Sequence, residues 1–169
     1  MMNLLLFTAP GYVEHEHEIV EAMFRFGLRR LHLRKPDWTE AQIDDWLEAL
    51  DPAWLHRIIL HDYHHLASYY YQVGGVHLNS RNPELLPELR GMQEKGQISV
   101  SRSCHSLTEL KEAKQVCDYV TLSPIYDSIS KEGYASHFST EELRAAAEQG
   151  LIDNKVYALG GIQKACIDE

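Results

Sequence analysis

The sequence predicts an α/β fold of repeated strand–helix units, a TIM (β/α)8 barrel lacking its last βα unit, built as a single domain over 1–169. Three observations carry this expectation. Short apolar runs alternate with amphipathic stretches along the whole chain, the pattern of repeated βα units. Helix-start signatures stand between those runs. No GxGxxG or GxxxxGK[ST] follows the first run, where Ala9-Pro10-Gly11-Tyr12 stands instead, so the dinucleotide and P-loop versions of an open sheet lose support against a closed barrel.

The strand candidates, in order, are 4–9, 30–35, 57–62, 75–80, 98–104, 119–125 and 155–160, each about 6 or 7 residues and dominated by Val, Ile, Leu or Tyr. Between them, Thr39-x-x-Gln42, Ser106-x-x-Glu109 and Ser139-x-x-Glu142 each match a capping box, in which side chains satisfy the first orphan amides of a helix. After Ser106, Leu107, Leu110, Ala113 and Cys117 fall on one stripe and Lys111, Glu112, Lys114 and Gln115 on the other side, so the stripe is expected against the sheet. Seven strands cannot close an eight-stranded barrel, so the native polypeptide is expected to continue for about another strand and helix, roughly 35 residues.

Composition narrows the class. At 169 residues the chain can bury one sizeable core, and 44% hydrophobic with 24% charged residues argues against disorder or a fibrous repeat. A net charge of -9 argues against a nucleic-acid surface, which needs clustered Lys and Arg. Cys104, Cys117 and Cys166 contain no CxxC pair and are odd in number, which fits reduced thiols in the cytoplasm. Leu4-Leu5-Leu6-Phe7 is too short for a signal peptide, and no run approaches the roughly 20 apolar residues of a membrane span.

In such a barrel the chemistry sits at the carboxyl ends of the strands. Those ends carry His32, Arg34 and Lys35; His61 and Asp62; His77, Asn79, Ser80 and Arg81; and Arg102, Ser103 and His105. Ser128, Ser130 and Lys131 follow strand six, and Gly160-Gly161 follows strand seven. All are expected to face one mouth. Cations with hydroxyls and a glycine pair suit a phosphate ester, because backbone without Cβ can approach the oxygens. Each has a plainer reading: the glycines as a tight turn, His32 and His77 as hydrogen-bonded barrel-interior residues, and His15 and His17 as an exposed face. His61, His64 and His65 around Asp62 could ligate a transition metal, although their spacing fits no established zinc pattern.

Taken in order, His32-Leu33-Arg34, His61-Asp62, Gly75-Val76-His77-Leu78, Ser103-x-His105-Ser106, Asp118-Tyr119-Val120-x-x-Ser123-Pro124-Ile125-Tyr126 with Lys131, and Ala158-x-Gly160-Gly161-Ile162 resemble the motifs of thiamine phosphate synthase and its relative thiazole tautomerase. The resemblance spans nearly the whole chain. It implies an enzyme of thiamine biosynthesis with a phosphorylated thiazole as substrate and, for the synthase, a hydroxymethylpyrimidine diphosphate whose diphosphate departs. It implies that Arg34 and Lys131, helped by Ser103 and Ser128, hold the diphosphate, and that the Gly160-Gly161 amides hold the thiazole phosphate. A homodimer is a family-level expectation.

The departures favour the tautomerase. The synthase pattern has Asn-Asp where His61-Asp62 stands, and a second metal Asp where this chain has Gly74. Magnesium is therefore expected, through Asp62, only if synthase activity is retained, since glycine offers a hard cation no carboxylate. The pattern's Gln is His32 and its following Lys is Pro36, with Lys35 one place earlier. Tautomerase chemistry is a proton transfer that the resemblance assigns to His105, and an imidazole is suited to it near neutral pH. A synthase, a non-catalytic binder of thiazole or thiamine phosphate, and another phosphate-binding barrel enzyme remain as alternatives.

Overall fold

The computed structural model describes residues 4–69, 72–127 and 138–166, in two compact units, Met1–Val100 and Ser101–Glu169. Each expected run forms a strand, shorter than its sequence span, and every strand pair below is parallel. The trimmed residues are mostly polar strand ends.

The first unit runs β1 (Leu5–Phe7), α1 (Glu16–Arg25), β2 (Arg30–Leu33), α2 (Glu40–Ala49), a 3-10 turn (Pro52–Arg57), β3 (Ile58–Leu60), a second 3-10 turn (His64–Ser68), β4 (Gly75–Leu78) and α3 (Pro87–Glu94). Phe7 pairs with His32, His32 with Ile59, and Ile59 with Gly75. Because neighbouring residues in a strand face opposite ways, Leu31, Leu33, Ile58, Leu60, Val76 and Leu78 share the other face, all buried. Buried Val20 and Phe24 of α1 and Ile43, Trp46 and Leu47 of α2 supply matching apolar stripes. The Arg57 guanidinium donates to the carbonyls of Phe24 (2.9 Å) and Leu28 (2.7 Å), closing the carboxyl end of α1. Thr39 and Gln42 form the complete expected capping box.

β5 (Ser99–Cys104) begins in this unit, where the Ser99 amide donates to the Gly74 carbonyl (2.9 Å). The second unit continues with α4 (Leu107–Ala113), β6 (Tyr119–Leu122), α5 (Thr140–Glu148), β7 (Val156–Ala158) and a 3-10 turn (Lys164–Cys166). Ser103 pairs with Thr121 and Thr121 with Tyr157. The stripe expected on α4 is buried at Leu110, Ala113 and Cys117, with Leu107 half-buried. Ser139 and Glu142 form a full capping box. At α4 the expectation is corrected: Ser106 accepts from the Glu109 amide (3.1 Å), but the Glu109 carboxylate reaches one residue further back, to the His105 amide (2.8 Å). Among the described residues no helix is long and apolar enough to cross a membrane.

Candidate functional site

In the first unit the strand register puts three histidines on one face. His32 pairs with Ile59, two residues before His61, and Ile59 pairs with Gly75, two residues before His77. The period of two therefore points all three side chains the same way, beside Phe7. Their exposures are 0%, 3% and 1%. His32 Nδ1 lies 2.9 Å from His61 Nε2, the His61 and His77 rings stack at 4.2 Å, and Phe7 stacks on His32 at 4.5 Å. Burial first, then the neighbouring His77, holds His32 and His61 well below the usual imidazole range, so both are neutral near pH 7. His64, also buried, lies with Nε2 3.1 Å from the His77 carbonyl, and the Asn79 amide donates to the His61 carbonyl (2.6 Å).

The cations of this unit separate. Arg34 is tied at its backbone to Thr8, whose hydroxyl accepts from the Arg34 amide (2.9 Å) and donates to its carbonyl (3.1 Å). Among the described residues its guanidinium has no hydrogen-bond partner. Lys35, read from the sequence as a possible phosphate contact, instead donates to Glu16 Oε1 (2.8 Å) and the Gly11 carbonyl (2.6 Å) and lies 4.8 Å from the Trp38 ring centre. Arg81 grips Asp62 with two hydrogen bonds (2.9 and 2.8 Å), and the Asn82 amide adds a third (3.1 Å). Asp62 and Arg81 line a cleft of about 580 Å³ with Trp38, Tyr63 and His65.

In the second unit, β5 delivers Ser103 and, just past its end, His105, β6 leads to Ser123, and Gly160-Gly161 follows β7. The Thr121 hydroxyl donates to Ser103 Oγ (3.0 Å). Two residues beyond each partner stand His105 and Ser123, and His105 Nδ1 lies 3.0 Å from the Ser123 carbonyl oxygen. A carbonyl can only accept, so Nδ1 carries the hydrogen in this contact, and in the tautomer this selects the basic nitrogen is Nε2 of the exposed ring. Gly160 and Gly161 have φ of 86° and 66°. A Cβ would stand 2.9 Å from Pro124 at Gly160 and 2.4 Å from the Asp127 carbonyl at Gly161, so both positions need glycine. Among the described residues neither amide donates to a protein acceptor. Ser128, Ser130 and Lys131 lie outside the described residues.

Sequence reasoning missed Glu16 and Ser123. Glu16, flanked by His15 and His17, reads as surface, yet it is buried and its second oxygen accepts from the Trp46 indole (3.0 Å). Ser123 meets His105 Nδ1 chiefly through its backbone carbonyl (3.0 Å), which no residue type signals, with its hydroxyl at 3.4 Å.

A family model described as thiamine monophosphate synthase matches residues 4–169. The chain belongs to this family. It is 29% identical over 97 residues to the thiamine-phosphate synthase of Listeria welshimeri, a match covering 56% of this chain and 45% of that protein, so it spans under half of that relative's length. The crystal structure of thiamine phosphate pyrophosphorylase from Bacteroides thetaiotaomicron superposes with a TM-score of 0.82 at 36% identity, covering 97% of this chain and 75% of that one. Thiamine phosphate pyrophosphorylase from Pyrococcus furiosus shares the fold, with a TM-score of 0.68 at 20% identity over 95% of this chain and 75% of that one.

Gly74, where the sequence resemblance expects a second metal carboxylate, has no room for a side chain. A Cβ on Gly74 would stand 2.3 Å from the His56 carbonyl oxygen. Asp62 remains, with both oxygens engaged by Arg81.

Proposed function

We propose that this thiamine monophosphate synthase family member acts on a thiazole phosphate by proton transfer at His105, as a thiazole tautomerase. The observation that carries the reading is the Nδ1 contact of His105 with the Ser123 carbonyl, 3.0 Å. It fixes the ring and its tautomer, and the other nitrogen is left to remove a proton from a substrate carbon and return it. The Gly160 and Gly161 amides, beyond the end of β7, supply donors for the phosphate of the thiazole carboxylate phosphate. Gly74, where the resemblance expects a metal carboxylate, speaks for a reaction that needs no diphosphate ionisation. Magnesium bound through Asp62 would first have to displace Arg81.

A second reading is favoured by the names of the relatives: thiamine phosphate synthase, joining hydroxymethylpyrimidine diphosphate to thiazole phosphate with release of diphosphate. For that reading the sequence resemblance, and not geometry, assigns magnesium to Asp62 and diphosphate oxygens to Arg34 and Lys131, helped by Ser103 and Ser128, with Ser130 a further candidate. The test offers the protein both synthase substrates with and without magnesium, then the thiazole carboxylate phosphate alone. Isomerisation of the latter, abolished by His105→Ala, is the expected result. Magnesium-dependent thiamine phosphate formation without isomerisation would establish the synthase, and binding of thiazole phosphate with neither reaction would leave a non-catalytic binder.

A further inference from the structure

We infer that His32, His61 and His77 form a binding site for a borderline divalent transition metal, with zinc the reference ion. One ring nitrogen from each lies within 4.8 Å of the others. Around a tetrahedral ion with Zn–N bonds of about 2.05 Å, ligand nitrogens stand about 3.3 Å apart. Metal binding therefore requires the rings to rotate about their side-chain torsions until the wider pairs close to that spacing, while the His32–His61 pair at 2.9 Å opens slightly.

Four features point to a metal rather than to an ordinary buried histidine. His32 and His77 lie in β2 and β4, and His61 directly follows β3 with its amide donating to the Leu33 carbonyl (3.3 Å), so their relative positions are set by backbone register. No carboxylate is part of the cluster, so its chemistry excludes magnesium and calcium and suits zinc, nickel, cobalt or copper. Two of the three ligand residues have their own backbone carbonyls held by neighbouring side chains, Asn79 on His61 and His64 on His77, which steadies the frame behind the rings. Gly75, two residues before His77 on the same face, adds no side chain that would compete for the space. Three imidazoles fill three of the four positions zinc takes, and the fourth falls to a small exogenous ligand.

This site differs from the grouping of His61, His64 and His65 around Asp62 that the sequence suggests, sharing only His61 with it. Asp62 is gripped by Arg81, and His65 Nε2 stands 2.9 Å from the Glu40 carboxylate. It also stands apart from the thiazole reading, because its test uses no substrate.

The test is zinc titration of chelator-treated full chain in competition with a chromophoric chelator, followed by cobalt(II) substitution. One equivalent of zinc, a raised melting temperature and the intense visible bands of four-coordinate cobalt are expected. His61→Gln and His77→Gln should each weaken zinc binding by at least about tenfold, and His65→Gln should leave it unchanged. Should the buried variants fail to fold, zinc-edge X-ray absorption on the unaltered protein decides: a first shell of three imidazole nitrogens supports the site, and an oxygen-dominated shell overturns it. Absence of stoichiometric uptake, or uptake lost in His65→Gln but kept in His61→Gln, would also overturn it.

Discussion

The Lys35 ammonium stands 2.8 Å from Glu16 Oε1, with none of the lysine side chain exposed and a tenth of the glutamate. This ion pair joins β2 to the amino end of α1, and the Trp46 indole donates to its remaining carboxylate oxygen. Lys35→Met would leave the carboxylate buried and unpaired, at a cost of about 3–5 kcal/mol. Urea denaturation should show that loss, and the Lys35→Met/Glu16→Gln double variant should recover part of it. A single variant within about 0.5 kcal/mol of the parent would refute the pairing.

Gly74 sets a second expectation. Because a Cβ there meets the His56 carbonyl at 2.3 Å, Gly74→Asp and Gly74→Ala should both destabilise the fold, by about 1–3 kcal/mol. Gly74→Asp should gain no magnesium-dependent stabilisation. Thermal melts with and without magnesium measure both effects, and an unperturbed Gly74→Ala would remove the steric argument.

His105 and Gly161 should separate kinetically. In the isomerisation assay His105→Gln should lower kcat by about 10²- to 10⁴-fold with little change in KM. Gly161→Ala, forced against the Asp127 carbonyl, should instead raise KM for the phosphorylated substrate. Equal effects on both parameters would contradict the division of roles.

Burial pushes the Cys104 and Cys117 thiols up to about 11, so at pH 8 roughly one molecule in a thousand carries either thiolate. Iodoacetamide with mass spectrometry should find the less buried Cys166 labelled first in native protein, and labelling of the other two should rise only as pH climbs towards 11. The same raised values mean that an unfolded chain ionises these thiols first. Stability is therefore unaffected by them below about pH 9 and falls between about 9 and 11. Rapid labelling of Cys104 at pH 8 under native conditions would contradict this account.

The strands were legible because a parallel strand buried on both faces must be apolar almost without interruption, as in Ile58-Ile59-Leu60. Helix starts at Thr39 and Ser139 were legible for a local reason: the capping partners lie three residues apart. Gly160 and Gly161 announced their left-handed turn, since only glycine tolerates it at little cost.

What the sequence determined by itself was the order of α/β units, the polar strand ends and the family, each encoded in neighbouring residues. Tertiary structure decided which polar groups meet. It sent Lys35 to Glu16 across 19 residues, aligned His105 on a backbone carbonyl, closed the position at Gly74 and gathered His32, His61 and His77 on one face. Those outcomes depend on strand register and on backbone atoms common to every residue, and neither leaves a mark in residue type.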